Sequence, residues 1–206
     1  MTITLTVFCD FGATPLGLPS RLVTDLHGAR VIHHTLRRAA RVLGVDRRVV
    51  VCRATDAELA ARCVEEAGLT GHFEIVATDP GVRPRALLTR TARKWAIDSW
   101  RSNPLGLTWY DEFIDPTIIA AVLGREPADG WLCFDGHQVA LDVDLASSMV
   151  EHARTRSEEA PYVFTQAPPG LTGLLLTRTA VDDLLHLTCP FGLLLSYRPE
   201  MPVADP

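Results

Sequence analysis

Arg48-Val49-Val50-Val51-Cys52-Arg53 is a continuous apolar run closed at each end by an arginine. The run is short, unbroken and rich in β-branched residues, as in a strand buried on both faces of a parallel sheet. Upstream, Ile3–Cys9 alternates with period two and reads as a first strand. Between the two, Val31–Leu43 carries Val31, Ile32, Thr35, Leu36, Ala39, Ala40 and Leu43 at helical spacing, and Gly44 closes it. Downstream, Thr55 precedes a helix running to about Ala67, and Phe73–Ala77 supplies another strand. Strand, helix, strand, helix, strand is the rhythm of a doubly wound sheet with right-handed crossovers. The expected fold is therefore α/β: three-layer α/β/α, with a Rossmann-like, mostly parallel sheet.

Further along, helices are expected over Arg85–Trp100, from Asp115-Pro116 to Leu123, over Asp142–Arg154 and over Val181–Leu187. Strands are expected at Trp131–Phe134 (central), Tyr162–Thr165 and Leu174–Leu176, with a turn at Pro168–Gly170. Residues 1–187 are read as one domain, and 188–206, which ends in a proline-rich stretch without periodicity, as a C-terminal extension or linker.

The chain has 206 residues, enough for one such domain and too few for two. Its net charge of −5 argues against broad nucleic-acid binding, which needs a basic face. No apolar run reaches membrane-spanning length, and the N-terminus lacks the basic region of a signal peptide. Five cysteines without a C-x-x-C pair are expected to be reduced and buried, as in a cytoplasmic protein.

In a doubly wound sheet ligands bind at the carboxyl ends of the strands. The rule points to the Gly/Pro-rich stretch Asp10–Ser20 after the first strand. Two segments there and beyond carry a resemblance. Gly17-Leu18-Pro19-Ser20-Arg21-Leu22, continuing into Leu26-His27-Gly28-Ala29-Arg30-Val31-Ile32-His33-His34-Thr35-Leu36-Arg37-Arg38, resembles the opening of sugar-nucleotide cytidylyltransferases and related GT-A-type nucleotidyltransferases. Leu132-Cys133-Phe134-Asp135-Gly136-His137-Gln138-Val139-Ala140-Leu141-Asp142 resembles that family's strand ending in a metal-binding aspartate.

The resemblance implies a nucleotide-diphospho-sugar transferase-like fold and a metal-dependent transfer of a nucleoside monophosphate from CTP or another triphosphate to a sugar or sugar phosphate. Backbone N–H groups and basic side chains would cradle the triphosphate, while Mg²⁺ or Mn²⁺ held by carboxylates offsets the developing charge. It sets Asp10, Gly12, Ser20 and Arg21 at the nucleotide, Asp135 and His137 at the metal, and Arg21, Asp135 and Lys94 in catalysis. There are two departures: Ser20 stands where the family has a lysine, and His137 where it has the metal aspartate. A histidine suits Mg²⁺ poorly, because that ion prefers hard oxygen ligands. His137 is thus either a metal neighbour or a plain surface histidine.

A third cluster gathers three of the four tryptophans, the only lysine and an Asp-Glu pair, in Arg93–Arg101 and Thr108–Phe113. Lys94 and Asp98 can form an i,i+4 surface pair. Taken together, however, aromatic residues beside charged ones fit an acceptor platform of Arg93, Lys94, Trp100, Arg101, Asp111 and Glu112. Gln166, in the Pro/Gly-rich stretch Phe164–Gly173, is a further polar candidate beside a purely structural turn. A glycosyltransferase on the same scaffold is the near alternative. The alternative of another class is a catalytically silent domain that binds a ligand or a partner protein, or forms one module of a larger polypeptide through its C-terminal end.

Overall fold

The computed structural model describes residues 1–12, 19–78, 110–114, 123, 127–156, 161–165, 167, 170–186 and 193–197. Its main sheet contains β1 (Ile3–Phe8), β4 (Arg47–Arg53), β5 (Glu74–Thr78), β7 (Gly130–Asp135), β8 (Tyr162–Val163) and β9 (Leu174–Thr177). The order across the sheet is β5-β4-β1-β7-β9-β8. β5, β4, β1 and β7 are mutually parallel, and β9 runs antiparallel to both β7 and β8. The valine run that opened the sequence reading is β4, buried over Val49–Cys52 and flanked by β1 and β5.

Period-two alternation sorts β1 onto the two faces. Ile3, Leu5 and Val7 pack with Val50, Cys52, Leu132 and Phe134 into one core. That core receives Ile32, Leu36 and Ala39 of α1 (Val31–Ala39), Ala60, Cys63 and Val64 of α2 (Ala57–Glu66), and Ala146, Met149 and Val150 of α3 (Val143–Thr155). The opposite face carries Val49, Val51, Trp131, Cys133, Leu174 and Leu176, covered by Leu123 and by Val181 of α4 (Arg178–His186). This is the expected three-layer arrangement.

Two small sheets complete the described structure. β2 (Asp25–Leu26) and β3 (Ala29–Arg30) form a hairpin around His27 and Gly28, both at positive φ. β6 (Tyr110–Ile114) pairs antiparallel with β10 (Leu193–Tyr197). The latter lies inside the stretch read as an extension, where no strand was expected.

Several ends differ from the sequence reading. α1 stops at Ala39, because Arg41 N–H and Val42 N–H turn to the i−3 carbonyls of Arg38 and Ala39, after which Gly44 takes φ +74. Leu43, counted there among the apolar helix positions, is 72% exposed. Asp142 caps α3 by accepting from Asp144 N–H and Leu145 N–H, both at 3.0 Å, so that helix starts where expected. α4 begins at Arg178 rather than Val181. His33 packs in the interior, whereas half-buried His34 donates from Nε2 to Leu26 C=O at 2.8 Å. Cys9, Cys52, Cys63 and Cys133 are buried, as their apolar settings suggested. Burial pushes the Cys52 thiol up to about 11, with Asp56 adding to the shift, so it does not serve as a nucleophile at neutral pH. No helix among the described residues is long and apolar enough to cross a membrane.

Candidate functional site

β1, β4 and β7 are adjacent and parallel, so their carboxyl ends open on one edge of the sheet. Phe8 is in register with Val51 and with Asp135. Each ladder runs one residue further: Cys9 N–H donates to Val51 C=O, and Gly136 N–H to Phe8 C=O, both at 2.8 Å. Beyond this point the chain leaves the sheet and its polar side chains take over.

Asp10 follows β1. Its Oδ1 accepts from Gly12 N–H at 2.9 Å, and its Oδ2 from the Arg53 guanidinium at 3.1 Å. Arg53 is the last residue of β4, so the pair links two strand ends. Residues 13–18 lie outside the described residues. On the far side of that stretch Ser20 N–H donates to Gly12 C=O at 3.2 Å, so the loop's two ends meet.

His137 fastens the returning end. Its Nδ1 lies 2.8 Å from Asp135 Oδ1, which also accepts from His137 N–H at 2.9 Å. Its Nε2 lies 3.3 Å from Ser20 Oγ and 3.4 Å from Arg21 N. A backbone N–H can only donate, so Nε2 is the acceptor and Nδ1 carries the hydrogen given to Asp135. The strand-end carboxylate thus orients an imidazole whose lone pair receives the loop. Gln138 completes the corner: its Oε1 accepts from Asp135 N–H at 3.2 Å, and its Nε2 donates to Thr172 C=O at 3.1 Å.

The corner is packed close to its limit. A Cβ on Gly136 would stand 3.0 Å from Leu22 Cδ2, 3.1 Å from Cys9 Sγ and 3.2 Å from Ile32 Cδ1. A Cβ on Gly173 would stand 1.8 Å from Cys133 O, so only glycine fits where that chain crosses β7. Thr35 Oγ1 bonds Gly136 C=O at 2.8 Å and ties α1 to the same turn.

Of the residues singled out in the sequence, Asp10, Gly12, Ser20, Arg21, Asp135 and His137 come together here. Arg93, Lys94, Trp100, Arg101 and Gln166 lie outside the described residues. Asp111 and Glu112 lie on β6, in register with Ser196 and Leu195 of β10; their side chains are outside the description. Sequence reasoning missed Arg53, because an arginine ending a buried strand reads as a solvent-facing boundary. It also missed the bond between Ser20 and His137, which are 117 residues apart and joined by no local pattern.

The fold is of the nucleotide-diphospho-sugar transferase type, and solved structures share it. A cytidylyltransferase from Leptospira borgpetersenii superposes with a TM-score of 0.57 at 12% identity, covering 92% of this chain and 66% of that one. The CMP:2-keto-3-deoxy-manno-octonic acid synthetase complexed with CTP superposes with a TM-score of 0.53 at 13% identity, covering 92% of this chain and 80% of that one. The fold is sugar-nucleotide cytidylyltransferase-like. Among curated proteins, the 3-deoxy-manno-octulosonate cytidylyltransferase of Anaeromyxobacter sp. (strain K) is 29% identical over 150 residues, which is 73% of this chain and 58% of that protein. That of Anaeromyxobacter dehalogenans (strain 2CP-C) is 29% identical over 158 residues, 77% of this chain and 60% of that protein. The chain thus spans less than two thirds of the length of these relatives. No protein-family model matches it.

Proposed function

We propose that this chain is a nucleotidyltransferase that moves CMP from CTP to a sugar-like acceptor. The observation that carries this reading is the meeting of Asp10, Gly12, Ser20, Arg21, Asp135 and His137 at the ends of β1 and β7. The curated relatives and the CTP-bound structural neighbour support the choice of CTP and of a sugar-like acceptor.

In this reading the loop between Gly12 and Arg21 wraps the triphosphate, and the Arg21 guanidinium, exposed at its end, meets phosphate charge. An acceptor hydroxyl oxygen attacks the α-phosphorus and the bond to the β-phosphate oxygen breaks. Pyrophosphate leaves with the electron pair, and the hydroxyl proton passes to solvent. Arg93, Lys94, Trp100, Arg101, Asp111, Glu112 and Gln166 supply the acceptor side, with Lys94 near the transferred group.

The donor set bears on the metal. No group of three or more His, Cys, Asp or Glu among the described residues could hold an ion by itself. Asp135 offers a hard carboxylate, while His137 directs Nε2 to Ser20 and Arg21. Such a set fits Mg²⁺ or Mn²⁺ arriving on the triphosphate, held by one carboxylate and phosphate oxygens. When bound, the ion offsets charge on the phosphates.

One observation favours a second reading, a silent domain that binds a nucleotide or partner protein: Ser20 and His137, which replace the family's lysine and aspartate, bond to each other. Thermal unfolding with each nucleoside triphosphate, at millimolar Mg²⁺ or Mn²⁺, tests both, because a ligand bound only by the folded state raises the midpoint. A metal-dependent shift largest with CTP, followed by pyrophosphate release when acceptor sugars are added, supports the transferase. A shift without turnover favours the silent domain, and no shift with any triphosphate overturns the nucleotide site.

A further inference from the structure

Arg53 is unlike most arginines of the described structure. Arg37, Arg38, Arg48 and Arg178 donate to main-chain carbonyls of Ala67, Leu141, Val42 and Ala128, and Arg30 and Arg154 pair with Glu66 of α2 and with Asp46 at the amino end of β4. Arg53 instead ends β4 beside β1, on the edge where a ligand of this fold lies. Its side chain is 43% exposed while that of Asp10 is 16% exposed, so the acid is seated and the guanidinium faces outward.

What meets at Asp10 resembles a phosphate contact. One backbone N–H, from Gly12, and one guanidinium N–H converge on its two carboxylate oxygens at 2.9 and 3.1 Å. An N–H and an arginine are a common donor pair for a phosphate oxygen. Gly12 lies against the same pair: a Cβ there would sit 3.3 Å from Asp10 Oδ1 and 3.9 Å from both terminal nitrogens of Arg53. The guanidinium has five N–H donors, and the bond to Asp10 takes one of them. As a purely structural ion pair this contact would contribute modestly, since the guanidinium side is partly screened by water.

We propose that Arg53 is a phosphate anchor of the nucleotide site, and that Asp10 is a positioning residue that holds the guanidinium ready for it. The assignment also gives Asp10 a place near a polyanion without direct contact between like charges. It rests on the nucleotidyltransferase reading for the identity of the ligand, although not for its charge.

The test is calorimetric binding of inorganic tripolyphosphate, CTP and cytidine to the intact chain and to Arg53→Gln and Arg53→Lys. Losing one charge-assisted contact weakens tripolyphosphate and CTP by roughly 10- to 100-fold in Arg53→Gln, and leaves uncharged cytidine unchanged. Arg53→Lys keeps the charge but loses the planar fork, and is expected to fall between the two, with cytidine again unchanged. If Arg53→Gln fails to fold, Arg53→Lys decides: tripolyphosphate affinity equal to that of the unaltered chain overturns the proposal. So does an Arg53→Gln protein that binds tripolyphosphate undiminished, even if CTP binding upholds the wider reading. Arg53-dependent tripolyphosphate binding with no preference for CTP over other triphosphates would instead sink the cytidylyl reading and leave the anchor standing. If the unaltered chain binds neither tripolyphosphate nor CTP, both fall.

Discussion

β1 and β7 leave the sheet through similar short sequences, Asp10-Phe11-Gly12 and Asp135-Gly136-His137, and use them differently. After β1 the acid reaches sideways to a cation on the next strand, and its glycine borders those same polar groups. After β7 the acid turns back onto its own histidine, and its glycine is wedged between Leu22, Cys9 and Ile32. The first corner is therefore lined by charged, polar groups. The second is tight and oriented, suited to hold the loop in place. Position in the sheet explains the contrast: β7 has chain packed across its end, at Gly173 and Thr172, whereas Arg53 closes β4 with its side chain partly in solvent.

The largest test of this contrast is Gly173→Ala. A methyl 1.8 Å from the Cys133 carbonyl oxygen forces the backbone apart, and urea unfolding is expected to show a loss of about 3 kcal/mol or more, or no folded protein. Next come the two corner glycines measured side by side. Gly136→Ala should cost about 1–3 kcal/mol through overpacking against three side chains, while Gly12→Ala, with one such contact among the described residues, the Asp10 carboxylate at 3.3 Å, should cost less. Equal costs would erase the distinction between the apolar corner and the charged one.

His137→Ala probes the latch itself. Loss of its bonds to Asp135, Ser20 and Arg21 is expected to lower stability by about 1 kcal/mol and to raise amide exchange at Arg21 and Leu22. Unchanged exchange there would mean that the imidazole does not hold the loop.

The smallest effect belongs to a group away from both corners. Burial lowers the pKa of His33 below 6.5, opposed by Glu66 at 3.5 Å. The folded state then binds fewer protons than the unfolded one as pH falls through about 6.5, so stability drops over that window and levels once the folded group protonates. His33→Gln should remove this share of the slope in urea midpoints measured from pH 7.5 downward. An unaltered slope would show that His33 does not titrate across unfolding.

The layers of the fold were legible because β1, β4 and β7 announce themselves through alternation or unbroken apolar runs. Helix α1 was over-extended because Leu43 keeps the helical spacing while the chain has already turned away at the i−3 bonds. β10 went unread because Leu193-Leu194-Leu195 has no alternation and runs toward a proline-rich end. At the site, the residues next to glycines after strands could be found from order alone, since the sheet determines where strand ends gather. Arg53 and the Ser20–His137 bond could not, because one is masked as a strand boundary and the other depends on two strands lying side by side.

The bond from Ser20 N–H to Gly12 C=O has a practical meaning for anyone rebuilding this molecule. Both atoms belong to the main chain, so a substitution at Gly12 or Ser20 that keeps the backbone in place keeps this 3.2 Å bond, and side-chain changes at either residue can be tried without unfastening the two from each other.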